Sequence, residues 1–152
     1  MRYFLDAEFN GFGGELISLA LVPEEPGVPP FYEATECAEP TPWVAEHVLP
    51  VLKTKIITRA ELADRFAEYL MDDEDPLLVA DWPEDIAHAA RLLITGPGQM
   101  KPIRSIRFQL VDPVIVGVAG RGGDANAAPH NAYHDGLALR DSVLDYERRM
   151  AP

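Results

Sequence analysis

Residues 3–21, YFLDAEFNGFGGELISLAL, set two carboxylates, Asp6 and Glu8, inside an apolar run that otherwise reads as core. Successive side chains of a strand point to opposite faces, so residues two apart share one face. Asp6 and Glu8 therefore project side by side. Like charges so close repel and raise each other's pKa unless a cation lies between them. The glycines of FNGFGG favour a hairpin-like reversal. Residues 2–8 and 15–22 are accordingly expected to be paired strands, with both acids on one of them.

Working outward, the turn-rich PEEPGVPP leads into FYEATE, a third strand ended by Pro40 and Pro42. PWVAEHVLPVL reads as a short helix interrupted at Pro50. TRAELADRFAEYL is a firmer helix: Thr58 and Glu61 form a capping box, and Ala60, Leu62, Phe66, Tyr69 and Leu70 are spaced for one apolar face. MDDEDP is an acidic loop. LLVA at 77–80 reads as a short buried strand with DWPEDIAHAARLLI as a helix behind it, and TGPGQMKP breaks the chain again. SIRFQLV alternates as a half-exposed strand should, GVAGRGGDANAAP is the loosest segment, and NAYHDGLALRDSVLDYERRM closes the chain as a helix. Three strands in succession, then strand–helix units, predict a mixed α/β sheet within a single domain spanning 1–152.

Composition narrows the function classes. The chain has 152 residues, 47% apolar and 25% charged, which suits one well-filled core. Its 25 acidic against 13 basic residues give a formal net charge of −12, a field that opposes loose adsorption to nucleic acid or anionic lipid. A polyanionic substrate needs local help from metal ions or placed cations. The basic residues are scattered in sequence and form no continuous stripe. Cys37 is the only cysteine, so neither an internal disulfide nor a thiolate metal cluster can form. No apolar run approaches the roughly 20 residues of a membrane span, and no signal-peptide core precedes Asp6 and Glu8. A cytoplasmic protein without a membrane partner is the expectation.

Two later segments supply what the opening acids lack. In VADWPEDIAHAARLL, Asp81 is positioned to cap the helix, with Trp82 and Pro83 in its first turn and Glu84 completing a capping box. Asp85 then falls one turn inside. In PHNAYHDGLALRDS, Asn131 can cap the last helix, which again puts a carboxylate, Asp135, one turn inside. Five residues amount to roughly 140° of helical rotation. His130 and Asp135 can act together only if His130 lies on the loop ahead of the cap. Four carboxylates without thiolates are the hard oxygen ligands that Mg²⁺ or Mn²⁺ prefers. Two such ions about 3.5–4 Å apart can clamp a phosphodiester, and a histidine is the expected base for an attacking water.

The order and spacing of these residues resemble the DEDDh 3′→5′ exonucleases, the superfamily of ribonuclease T, oligoribonuclease and polymerase proofreading domains. Within it, the DAEFNGFGGELISLAL start is similar to a group of compact bacterial 3′-exoribonucleases. The first family motif matches at Asp6 and Glu8. The second matches as Asp81-x3-Asp85, which favours Asp85 as the ligand. The third, His-x-Ala-x2-Asp-Ala, matches at His130, Ala132 and Asp135, with Gly136 replacing alanine. Ala7 and Asp81 also depart from the common threonine and asparagine. The resemblance implies a ribonuclease H-like fold with a mixed five-stranded sheet and flanking helices. It implies a phosphodiester hydrolase, a 3′→5′ exoribonuclease that shortens single-stranded RNA, or DNA, from its 3′ end to nucleoside 5′-monophosphates. Asp6, Glu8, Asp85 and Asp135 would hold two Mg²⁺ or Mn²⁺ ions and His130 would activate water. The preference for RNA, and a homodimer, follow from family habit alone.

Other residues carry weaker signals. Phe9, Asn10 and Phe12 follow the first motif and either border a terminal base, as aromatic platforms do for single strands, or serve ordinary packing. Arg121 is either a phosphate contact or a solvated arginine. GFGG lacks the lysine and following helix that a phosphate-cradling loop needs. A DNA-trimming nuclease and a non-catalytic nucleic-acid or protein-binding module are the alternatives.

Overall fold

The computed structural model describes residues 1–112 and 129–152. Strands β1 (Arg2–Phe9) and β2 (Leu16–Pro23) form the expected antiparallel pair. Their register sets Asp6 opposite Ala20 and Glu8 opposite Ser18. The reversal between them uses Gly11 and Gly13 at φ +73° and +68°, a left-handed region that costs glycine nothing. The ladder slips between Glu8 and Phe9, so Ile17 has no opposite number. This bulge falls beside the second acid.

The elements that follow are β3 (Phe31–Thr35), α1 (Pro42–His47), a single 3₁₀ turn at Leu49–Val51, β4 (Ile56–Ile57), α2 (Arg59–Met71) and β5 (Leu77–Ala80). After them come α3 (Pro83–Leu92), β6 (Ile94–Gly96), β7 (Gln99–Met100), β8 (Arg107–Leu110) and α4 (Ala132–Met150). The main sheet has the order β4-β3-β2-β1-β5-β8, with β2 antiparallel to both neighbours and the remaining pairs parallel. The protein is thus a mixed α/β structure with a six-stranded sheet among the described residues, one strand more than expected. The extra strand, β4, is two residues long and carries too little pattern to be read. The chain 94–100 is a small antiparallel hairpin rather than a helix end and a loop, and α3 stops at Leu92.

Alternation along β1 distributes its side chains between two layers. Tyr3, Leu5 and Ala7 face Leu62, Phe66 and Leu70 of α2, together with Ala89 and Leu92 of α3. Phe4 faces Leu139 and Val143 of α4. Asp6 and Glu8 continue the Phe4 face, so they emerge where α4 begins. The α2 face is built from Leu62, Ala63, Phe66, Ala67 and Leu70; Ala60, expected on it, is exposed because it lies in the first turn beyond the sheet. Burying a side chain such as Phe66 stabilises by about 1.5–3 kcal/mol. Thr58 caps α2 as its sequence requires, accepting from the Glu61 N–H at 3.1 Å. Pro50 sits within the 3₁₀ turn, where the interruption was expected.

The last helix is anchored at both ends. Near its C-terminus, Glu147 accepts from Arg2 at 2.6 Å, and the same guanidinium holds Glu24. At its start Asn131, 3% exposed, accepts from the Tyr133 and His134 N–H groups. Its amide donates to Val51 O at 2.7 Å and to the Tyr32 hydroxyl at 3.1 Å. These anchors fix the height of α4 over β1. No helix among the described residues is long and apolar enough to cross a membrane.

Candidate metal centre

Asp6 and Glu8 on β1, Asp81 and Asp85 beside α3, and His130 and Asp135 at the start of α4 line one cleft of about 330 Å³. The carboxylates fall into two groups. Asp6, Asp81 and Asp85 each bring an oxygen to within 4.8 Å of the others, and so do Asp6, Glu8 and Asp135. Asp6 belongs to both. Each group could hold a metal ion.

The local reasons for this convergence are sequence-encoded. Asp85 is in the first turn of α3, 3% exposed, and receives a hydrogen bond from the Ala7 backbone. Asp135 lies in the first turn of α4 and accepts the backbone N–H of His130 at 3.0 Å. That bond closes because His130 adopts φ +62°, a left-handed conformation that folds the loop back over the helix start. Gly136 completes the approach. A Cβ there would lie 3.0 Å from Val22 Cγ2 and 3.9 Å from Asp6 Cβ. Glycine in place of the expected alanine lets α4 settle onto β1 and β2, which brings Asp135 to Asp6.

Asp81 does not cap α3. With Pro83 at the first helical position the cap falls on Trp82, whose side chain makes no capping hydrogen bond. Nor does Glu84 close a capping box: it accepts from the Gly13 N–H at 2.8 Å and from Trp82 Nε1 at 3.3 Å. Asp81 instead turns toward Asp6 and Asp85 and joins the first group. The signal was present in the sequence, because proline at the first helical position makes the residue before it the cap.

The electrostatics show what the cluster lacks. Two unit charges 4.8 Å apart repel by roughly 3.5 kcal/mol at an effective dielectric of 20. Burial, followed by the charges of Asp85, Glu8, Asp135 and Asp81, drives Asp6 well above the usual carboxylate range. Glu8 is pushed up to about 8 by burial and then by Asp135, to which it is also hydrogen-bonded. Asp85 is pushed up to about 8, first by burial and then by Asp81. No side chain of a lysine or arginine lines the cleft among the described residues. A half-buried set of hard oxygen donors, three of them with raised pKa values, is a set that fits a divalent cation.

The remaining expected residues are dispersed. Phe9 lines the cleft, but its ring lies against His88 at 5.0 Å. Asn10 is structural: its amide donates to Glu39 O and its oxygen accepts the Thr41 N–H, both at 2.8 Å. Phe12 is 98% exposed at the tip of the turn and does not line the cleft. Arg121 lies outside the described residues. Two aromatic residues went unread in the sequence. Trp82 lines the cleft half-exposed. Trp43 sets its ring edge-on to His130 at 4.8 Å while stacking on His47 at 4.8 Å. Neither stands in a pattern that marks a site: Trp82 reaches the cleft, and Trp43 reaches His130, only in the folded chain. A scan against protein-family models and a search of curated proteins both return no match for this chain.

Proposed function

We propose that this protein is a metal-dependent 3′→5′ exonuclease acting on single-stranded nucleic acid, RNA in preference to DNA. The observation that carries the proposal is Asp6, shared between two carboxylate triads in a cleft that His130 also lines. The sheet supports it: β3-β2-β1-β5-β8, leaving aside the two-residue β4, fits the mixed five-stranded sheet of a ribonuclease H-like fold.

The donor set favours two Mg²⁺ or Mn²⁺ ions; Asp6, Asp81 and Asp85 would hold one, and Asp6, Glu8 and Asp135 the other. When bound, such ions supply charge stabilisation to the attacking and leaving oxygens of a phosphodiester. The protein's own contributions are distinct. His130, on the rim, accepts the proton of the attacking water. Asp135 holds the His130 backbone in place at 3.0 Å. Trp43 limits the swing of the imidazole by its edge contact. Trp82 and Phe9 wall the cleft with apolar surface against which a terminal sugar or base can rest. Chromatography of products from a single-stranded RNA with Mn²⁺ tests the proposal. Nucleoside 5′-monophosphates are expected; release of 3′-monophosphates or of internal fragments would contradict it.

A further inference from the structure

Three basic residues far apart in the sequence come together in the fold. Arg59 at the start of α2, Arg91 in the last turn of α3 and Lys101 after β7 converge on a second cleft of about 380 Å³, with Ile94 and Thr95 of the β6–β7 hairpin on its wall. We propose that this cleft is a phosphate-binding site, separate from the carboxylate cleft and independent of any divalent ion.

The charge pattern argues for a missing anion. Every other described arginine is ion-paired with a carboxylate. Arg59 and Arg91 have no carboxylate partner among the described residues, in a chain with 25 acids and 13 bases. Helix stability does not explain Arg59, because a cation at a helix N-terminus opposes the helix dipole. The positive field is felt inside the protein. The buried His88 has its pKa lowered by burial first; Glu84 counters this, and Arg59 and Arg91 lower it further. Lys101 is held to the cleft by its backbone N–H bond to Leu93 O at 2.7 Å, and its ammonium is kept at the rim by Asp64. Two arginines and a lysine lining one concave space offer donors that suit the oxygens of a phosphate or diphosphate. The wall adds Ile94, 62% exposed, an apolar surface beside the charges.

The phosphate has two sources, a free nucleotide or diphosphate and the backbone of a single strand. Calorimetry in EDTA, which silences metal at the carboxylate cleft, separates them with pyrophosphate, a nucleoside 5′-monophosphate and a single-stranded RNA of about twelve nucleotides as probes. Pyrophosphate is expected to bind, and Arg59→Gln with Arg91→Gln to weaken it by about tenfold per arginine. Both side chains are exposed, so the double variant should keep its circular dichroism and Tm. Asp64→Asn, which frees Lys101, should tighten binding. If the RNA binds with higher affinity than either small probe and with the same arginine dependence, the source is a strand; if it does not, the source is a free phosphate ligand. Equal affinity of wild type and the double variant for all three probes, or no binding by wild type, would overturn the site.

Discussion

Titrating Mn²⁺ into the metal-free protein at pH 7 should release protons in a number set by the carboxylate cleft. Glu8 and Asp85 are both pushed up to about 8, by burial and then by Asp135 and Asp81 respectively. A group with a pKa of about 8 holds roughly 0.9 proton at pH 7. Ligating a cation requires both to ionise, so about two protons leave, and Asp6 adds to the number because its pKa is also raised. The same shifts fix the pH dependence of stability. The folded state holds protons that the unfolded chain has already released above its own carboxylate pKa values near 4. The stability from these groups is therefore fully present below about pH 4 and is lost as pH rises through about 8. The limiting slope is roughly 1.4 kcal/mol per pH unit per group, reduced in practice because the cleft is open to water. Metal-free Tm should thus fall from pH 5 to pH 8, and saturating Mn²⁺ should raise it most at pH 8 by mass action. Calorimetry in buffers of different ionisation enthalpy counts the protons. Asp85→Asn should remove one proton from the count and flatten the metal-free slope. Release of no protons, or a metal-free Tm that rises from pH 5 to pH 8, would refute the reasoning.

Three further outcomes are expected. Asp85→Asn should abolish turnover, whereas Asp81→Asn should lower Mn²⁺ affinity and keep measurable turnover at high Mn²⁺; calorimetry and initial rates distinguish them, and a reversal would exchange their roles. His130→Ala should lose roughly 10²–10⁴ in rate and keep Mn²⁺ affinity, since the metal is held by carboxylates; a calorimetric loss of affinity would make His130 a ligand. Gly136→Ala should gain about 1 kcal/mol of helix propensity against an overpacking cost of about 1–3 kcal/mol, because the new Cβ meets Val22 Cγ2 at 3.0 Å. Tm should drop by a few degrees, and Mn²⁺ affinity should fall as Asp135 moves from Asp6; unchanged affinity would mean that the close approach is not what assembles the second triad.

What the sequence revealed depended on the range of the interaction that encodes it. Asp6 and Glu8 were legible because strand alternation is local, and Asp85 and Asp135 because both lie in the first turn of a helix. Asn131 was legible as a cap for the same reason. Asp81 was misread as a cap although Pro83 pointed to Trp82. Gly136 read as a departure from a pattern, since its meaning lies in Val22, a residue of another strand. The strands β4, β6 and β7 are two or three residues long and exist only through their partners. The Arg59–Arg91–Lys101 cleft joins segments far apart in the chain, so a linear search for a basic stripe could not find it.

The most direct test of a metal-dependent 3′→5′ exonuclease is incubation of 5′-labelled single-stranded RNA and DNA with the protein and Mg²⁺ or Mn²⁺. The expected result is a ladder that shortens from the 3′ end, faster on RNA, and absent with EDTA or with Asp85→Asn. Intact substrate under saturating Mn²⁺, or a ladder that persists in Asp85→Asn, would contradict it.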